Sequence, residues 1–287
     1  MSQFIRKDKE ASITQILAKV GELKALPQVV FQVLAATEAD MCSAADLERQ
    51  ISVDPGLSTR VLSQANSSFY ALPKKVTSIK DAVMLLGFKQ IREVTLSASV
   101  SDMFIGKNDK ESVRRRDWWR HSVNVATICS AVADLNKGVS PPVAYTAGLL
   151  CYIGKTLIDQ SDSAAYDRVL QAVAQGSTER FAEESLFRCD HIDIAIAVGE
   201  KWKLPENILA ALNYEDEPSE EAPANPLRAV VVLSSLLANH VEQPDAGFDI
   251  QLQYRQWAFQ ELKWEVDKRL ELLLLVEKLF AKRKVAA

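Results

Sequence analysis

Only 10 of the 287 residues are glycine, and strand-like alternation of apolar and polar residues is scarce. Both features leave helices as the main building material. The four cysteines (Cys42, Cys129, Cys151 and Cys189) lie far apart and form no CxxC pair. That spacing excludes a zinc knuckle or a secreted disulfide framework and predicts the reduced thiols of a cytosolic chain. No apolar run reaches the ~20 residues a membrane span needs. The greasiest piece, Leu270 to Phe280, is interrupted by Glu271, Glu277 and Lys278. The opening MSQFIRKDKE is charged and lacks the apolar centre of a signal peptide. At a formal charge of -4, no global positive field invites nucleic acid. The expectation is a cytoplasmic protein with neither a membrane nor a nucleic-acid partner.

What is present is an ordinary globular composition, 48% apolar and 25% charged, with enough apolar sequence for one large or two modest cores. The first ~105 residues read as short helices from their periodicity and caps. Ile13, Ile16, Leu17 and Val20 make one apolar stripe, and Pro27 can open a helix carrying Val30, Val33 and Leu34. Ser43 is a natural N-cap for AADLERQIS, with Asp46 at the positive end of the helix dipole. Asp54-Pro55 supplies a cap and a first-turn proline ahead of Leu57, Val61, Leu62 and Ala65. Ser78 and Asp81 form a reduced capping box for a helix that stops near Gly87.

Residues 106–117, GKNDKESVRRRD, read as a polar linker, with Arg114, Arg115 and Arg116 at a solvated helix entry rather than in a phosphate contact. Beyond it, His121, Val125, Ile128, Val132 and Leu135 share one helix face. Pro141-Pro142 opens the next helix, and further helices are predicted over 163–175, 178–188, 190–202, 205–213 and 226–241. Polar loops are expected at 215–226 and 242–249. A long amphipathic helix is expected from about Glu261 to Lys284, turning Val266, Leu270, Leu273 and Val276 inward. One of Trp118 and Trp119 is expected to fill the domain junction, the other to be exposed.

The segment DPGLSTRVLSQANSSFYALPKKVTSIKDAVMLLGFKQIREVTLSASV, residues 54–100, closely resembles the HDOD family, bacterial regulatory domains related to the metal-dependent HD phosphohydrolases. The resemblance rests on an ordered set: Asp54-Pro55, Ala65-Asn66-Ser67, Tyr70, Leu72 and Pro73, Ser78-Ile79, Leu85-Leu86-Gly87 and Ile91-Arg92. It extends more loosely from about Leu23 to His240. It implies an all-α fold, with an N-terminal helical bundle (1–108) packed on an HD-type helical bundle (109–245), followed by an extension (246–287).

HD enzymes hold divalent metals on histidines and carboxylates, and the metal lowers the pKa of a bound water. Adjacent helix positions, roughly 100° apart, let a His-Asp pair reach one pocket. Carried over onto this chain, the first ligand histidine is His121, and the His-Asp pair is Cys151-Tyr152, inside AGLLCYIGKTLI. His191 matches a downstream histidine, Asn213-Tyr214 replaces a histidine pair, and Ser235 replaces the closing aspartate. Two imidazoles survive and every carboxylate ligand position is lost, so no metal and no cofactor are expected. His121 then reads as a hydrogen-bonded core residue, and His240 as a surface residue at a helix end. A nucleophilic Cys151 is disfavoured, because apolar surroundings raise a thiol pKa. No catalytic residue is assigned.

The expected function is therefore a non-catalytic regulatory module in bacterial signal transduction, working through a signalling protein partner. A partner surface could use Tyr70 as anchor with Lys74 and Lys75 as rim, whereas Asn66 reads as structural, in the left-handed conformation at its helix end. An alternative is a receptor for a nucleotide or another small phosphorylated ligand, met by Arg120 and Lys155. A residual metal-dependent phosphohydrolase is the third reading.

Overall fold

The computed structural model describes residues 2–20, 32, 43–67, 74–104, 109–220, 223–243, 255–265 and 267–284, and among these there is no strand. The expected helix around Val30, Val33 and Leu34, the turn at Tyr70, Leu72 and Pro73, and Cys42 and Val266 lie outside the described residues, as does most of the expected 242–249 loop.

Among the described residues, three helices form the N-terminal unit. Helix α1 (Ser2–Lys19) is not one of them: it packs on two helices of the second unit, with Lys9 bonded to Asp193 at 2.7 Å. The expected 1–108 unit thus loses its first helix to its neighbour. Helix α2 (Ala44–Ser52) opens on a complete capping box between Ser43 and Asp46. Helix α3 (Pro55–Ala65) is capped by Asp54, which accepts from the Leu57 N–H at 3.0 Å. Both lie against α4 (Ile79–Phe104).

Gly87 breaks α4. Its φ of 83° and ψ of 163° belong to a region that is essentially glycine-only. The first half shows Met84 and Leu85 to solvent, whereas every residue from 93 to 101 is buried. Small hydroxyls make the buried half possible, because Thr95 and Ser99 donate to the Ile91 and Thr95 carbonyls at 2.7 and 2.8 Å. Ser97 bonds the Tyr145 hydroxyl at 2.6 Å. The helix therefore serves as a shared core element that joins the two units.

The predicted linker is not a linker from Asp109 onward, because α5 spans Asp109–Asp134. Two members of its basic run are held by distant acids rather than solvated, and Arg116 is exposed: Arg115 is buried 3.0 Å from Asp159, and Arg114 reaches Asp159, Asp167 and Ser163. These partners lie more than forty positions away, so they were invisible to local charge counting. Trp119 stacks near Phe104 and Trp118 meets Tyr166 edge-on, both at 5.2 Å, and neither is exposed.

Helices α6 (Pro141–Leu150), α7 (Ile153–Ser161), α8 (Ser163–Ala174), α9 (Glu179–Phe187), α10 (His191–Lys201), α11 (Glu206–Leu212) and α12 (Pro226–Glu242) complete the second unit. The helix predicted from about Glu261 begins only at α14 (Lys268–Lys284); a short α13 (Gln256–Glu261) precedes it, with Lys263 at φ 57° between them. Leu270 points outward, not inward, and the buried face is Leu272, Val276 and Phe280. Both segments pack on α12, so the extension is part of the second core.

Candidate functional site

Helix α5, the junction of α6 and α7, the start of α10 and the end of α11 bring His121, Cys151, Tyr152, His191 and Tyr214 to one region. His121 is buried on α5, and its ring stacks on Tyr152 with centroids 4.3 Å apart and planes 22° apart. Tyr152 in turn carries the Lys155 ammonium, 4.0 Å from its ring centroid. The phenol ring thus meets both an imidazole and a cation. Cys151 is buried beside it, with Sγ 4.0 Å from the Ser122 hydroxyl. Burial pushes the Cys151 thiol up to about 12, away from nucleophilic use.

His121 Nδ1 donates to Glu242 Oε2 at 2.9 Å, and Asn124 donates to the other carboxylate oxygen at 2.7 Å. Glu242, at the last turn of α12, is a partner that no motif announced. Its carboxyl stays below the ordinary range despite burial, because of His121 and Asn124. His240 is half-buried in the same turn rather than on the surface.

His191 sits at the first position of α10, fully buried. Its Nδ1 lies 2.6 Å from Glu183 Oε2 and its Nε2 lies 3.2 Å from Glu215 Oε1. A ring flanked on both nitrogens by carboxylates is a double donor, hence an imidazolium. Burial and the Lys155 charge oppose that proton, but Glu183 and Glu215 outweigh them and raise the pKa to about 9. Glu215 is reciprocally held down at about 2, burial notwithstanding, by His191, Lys155 and Arg180. Lys155 is buried and donates to Glu179 at 2.7 Å, and Tyr166 donates to both Glu179 and Glu183 at 2.9 Å. The region is an ion cluster with two buried cations, Lys155 and His191, among Glu179, Glu183 and Glu215, and its Glu179 and Glu215 edge reaches the surface.

A metal does not fit this donor set. His191 offers no free lone pair, Cys151 is a neutral thiol, and Lys155 places a positive charge on the ring at the pair position. Among the described residues, no three His, Cys, Asp or Glu side chains converge to hold a cation. Orphaned atoms remain at Asn213 and Tyr214 and at the retained His121: Asn213 Oδ1, Tyr214 Oη and His121 Nε2 are buried without hydrogen-bond partners. Ser235 is buried on α12.

The two expected phosphate contacts are not brought together. Arg120 is 67% exposed and pairs with Asp117, whereas Lys155 is consumed inside by Glu179. Of the proposed partner surface, Lys74 and Lys75 are exposed and Tyr70 lies outside the described residues. Asn66 is structural, but not through a left-handed backbone, since its φ is -85°. Its amide donates to the Leu62 and Val76 carbonyls at 2.9 Å and accepts from the Val76 N–H at 2.8 Å, tying the end of α3 to the chain before α4. The sequence reading missed Glu179, Glu183, Glu215 and Glu242. Only Glu215 carried a local signal, being the residue after Asn213-Tyr214.

The model of the HDOD domain matches residues 23–218, well over half of the chain. The chain belongs to the HDOD family. A solved Shewanella amazonensis protein, provisionally named a phosphohydrolase, is 26% identical with a TM-score of 0.64, over 92% of this HDOD chain and 93% of that one. A provisionally named signal transduction protein of Marinobacter aquaeolei VT8 has a TM-score of 0.73 at 20% identity, covering 98% of this chain and 64% of that one. An uncharacterized protein of Treponema pallidum (strain Nichols) is 20% identical over 229 residues. The HDOD chain spans 43% of that relative's length. Among the described residues, no helix is long and apolar enough to cross a membrane.

Proposed function

We propose that this HDOD domain is a non-catalytic regulatory module that acts by binding a protein partner. The observation that carries the reading is the packing on Tyr152: the imidazole of His121 stacks on the ring and the ammonium of Lys155 lies over that ring, at the residue standing where a metal-bridging aspartate is expected. A hydrolase needs a cation and an open position for water there. This chain supplies side chains instead. The signal-transduction name of the Marinobacter aquaeolei structure supports the same direction. A partner would meet the N-terminal unit, where Met84 (66% exposed), Leu85 (52% exposed) and Phe88 surround the Gly87 break, with Lys74 and Lys75 in the same unit.

The test pairs two measurements on the full chain. The expected result is no phosphate release from a model phosphomonoester with added Mn, Fe, Mg or Zn. A native partner should be captured by the wild-type chain and lost with Met84→Glu/Phe88→Glu. Metal-dependent turnover abolished by His121→Ala would overturn the reading.

A second reading, a receptor, is favoured by the orphaned atoms of His121, Asn213 and Tyr214, which are hydrogen-bonding groups awaiting a partner. The surrounding carboxylates make a phosphorylated ligand a poor match. A rise in melting temperature with nucleotides, lost on changing Lys155, would support it.

A further inference from the structure

Helix α1 stands apart from the rest of the chain in two ways. The HDOD match begins at residue 23, so α1 (Ser2–Lys19) lies outside it. The helix also packs on the second unit, against α7 and α10, although the chain continues from it into the first unit. Those two helices carry Lys155 and His191, so α1 rests on the elements that hold the ion cluster.

Its grip is narrow. Among the side chains described from Lys7 to Val20, Ile16 alone is buried, with Ile13, Leu17 and Val20 half-buried against the core. At the upstream end of this stripe, Lys9 meets the two carboxylate oxygens of Asp193 at 2.9 and 2.7 Å, in an ion pair with 35% and 22% of its side chains exposed. Burial opposes the Lys9 charge, but Asp193, Asp190 and Glu184 outweigh it and hold its pKa above the ordinary value. A helix held by few buried apolar side chains and a half-exposed ion pair opens locally at low cost. Helix α7, buried at every residue from Ile153 to Asp159, does not.

The seat beneath α1 has an apolar floor and an acidic edge at Asp193, Asp190 and Glu184. Such a seat selects a helix with a basic residue and apolar residues four, seven and eight positions after it, as Lys9, Ile13, Ile16 and Leu17 are spaced.

We propose that α1 is a releasable arm, and that the α7–α10 face beneath it docks a helix of a partner protein with that same pattern of one basic and three apolar residues. The arm is a resident competitor, kept at high local concentration by its own chain, and it lowers the partner's apparent affinity by the fraction of time it is seated. This face is separate from the Met84 and Phe88 surface, and its use by a partner rests on the partner-binding reading.

The test uses the full chain, with a labelled synthetic peptide of residues 1–20 as the probe. Hydrogen exchange of the wild-type chain should show α1 amides exchanging roughly a hundredfold faster, or more, than those of α7. Lys9→Glu/Ile16→Glu changes only the arm and releases it. That variant should bind the peptide saturably and about tenfold or more tighter than the wild-type chain does. A peptide carrying Ile16→Glu should not bind. Asp193→Asn in the released chain should weaken binding about two- to fivefold, the worth of one surface ion pair. Asparagine keeps an oxygen for the Asp190 N–H, so the start of α10 is spared. The proposal falls if α1 amides exchange as slowly as those of α7, if the released chain does not bind the peptide, or if the Ile16→Glu peptide binds equally well. It is also overturned if wild-type chains exchange their arms in a concentration-dependent dimer, because the occupant is then a second copy. Partner capture through Met84 and Phe88 is measured separately, so failure of the arm is distinguished from failure of the partner-binding reading.

Discussion

A β-carbon added to Gly154 would stand 1.8 Å from the carbonyl oxygen of His191, so α7 and α10 meet backbone to backbone at that point. Gly148 is similar, since a β-carbon there would lie 2.8 Å from Cys129 Sγ and 2.9 Å from Ala126 Cα. The small residues of AGLLCYIGK are thus required by close packing, whatever stands at positions 151 and 152. Gly154→Ala should destabilise the protein by at least the roughly 1–3 kcal/mol of overpacking, because the obstructing atom is backbone and cannot swing aside. A urea titration with unchanged slope and a lowered midpoint is the expected record. A midpoint equal to wild type would show that α7 and α10 can separate freely.

The ion cluster predicts a pH dependence with two edges. His191 has a folded pKa of about 9 against an ordinary 6.5, so its contribution is complete below about 6.5 and is lost as the pH rises through 9. Glu215 has a folded pKa of about 2 against 4.5, so its contribution is present above 4.5 and lost as the pH falls toward 2. Stability from this pair should be greatest between about pH 4.5 and 6.5. His191→Gln should remove the alkaline edge in melting curves measured from pH 6 to 9. An unchanged slope in the variant would refute the imidazolium assignment.

Lys155→Met is expected to cost about 3–5 kcal/mol, because it strands Glu179 and leaves the cluster with an uncompensated buried charge. The double change Lys155→Met/Glu179→Gln should recover part of that loss. A double-mutant cycle by chemical denaturation measures the coupling, and additive losses would mean that the pair is not a unit.

Asn66 bridges two stretches of chain with three hydrogen bonds to main-chain groups. Asn66→Ala should cost about 2–3 kcal/mol by leaving part-buried backbone groups unpaired. Asn66→Asp should not rescue it, since the carboxylate would face two carbonyl oxygens that now accept from the amide. Equilibrium unfolding of the two variants gives the ranking, and a neutral Asp variant would refute the bridge.

Cys129, Cys151 and Cys189 are buried, and burial raises all three thiol pKa values, those of Cys151 and Cys189 up to about 12. Peptides carrying them should remain unlabelled by iodoacetamide in the native protein at pH 7.5 and be labelled fully in denaturant. Rapid native labelling of Cys151 would reopen a nucleophilic role.

The chain alone determined its helices and many of their ends, because caps such as Ser43, Asp54 and Pro141 act within one turn of the residues they serve. It also determined the family, since the ordered set from Asp54 to Arg92 is local in sequence. Where the reading differed from the structure, the deciding contact was distant. Asp109 to Asp117 looked like a linker until Asp159 reached Arg114 and Arg115, and α1 joined the second unit through Asp193. The four glutamates around His121, His191 and Lys155 come from two helices and a loop, so no spacing pattern could announce them. Tertiary structure decided the charge state of His191, because a proton on a buried ring is held by carboxylates brought to both of its nitrogens. It likewise decided that buried Glu93 accepts from Ser130, 37 positions away on another helix, which no local stretch of sequence encodes.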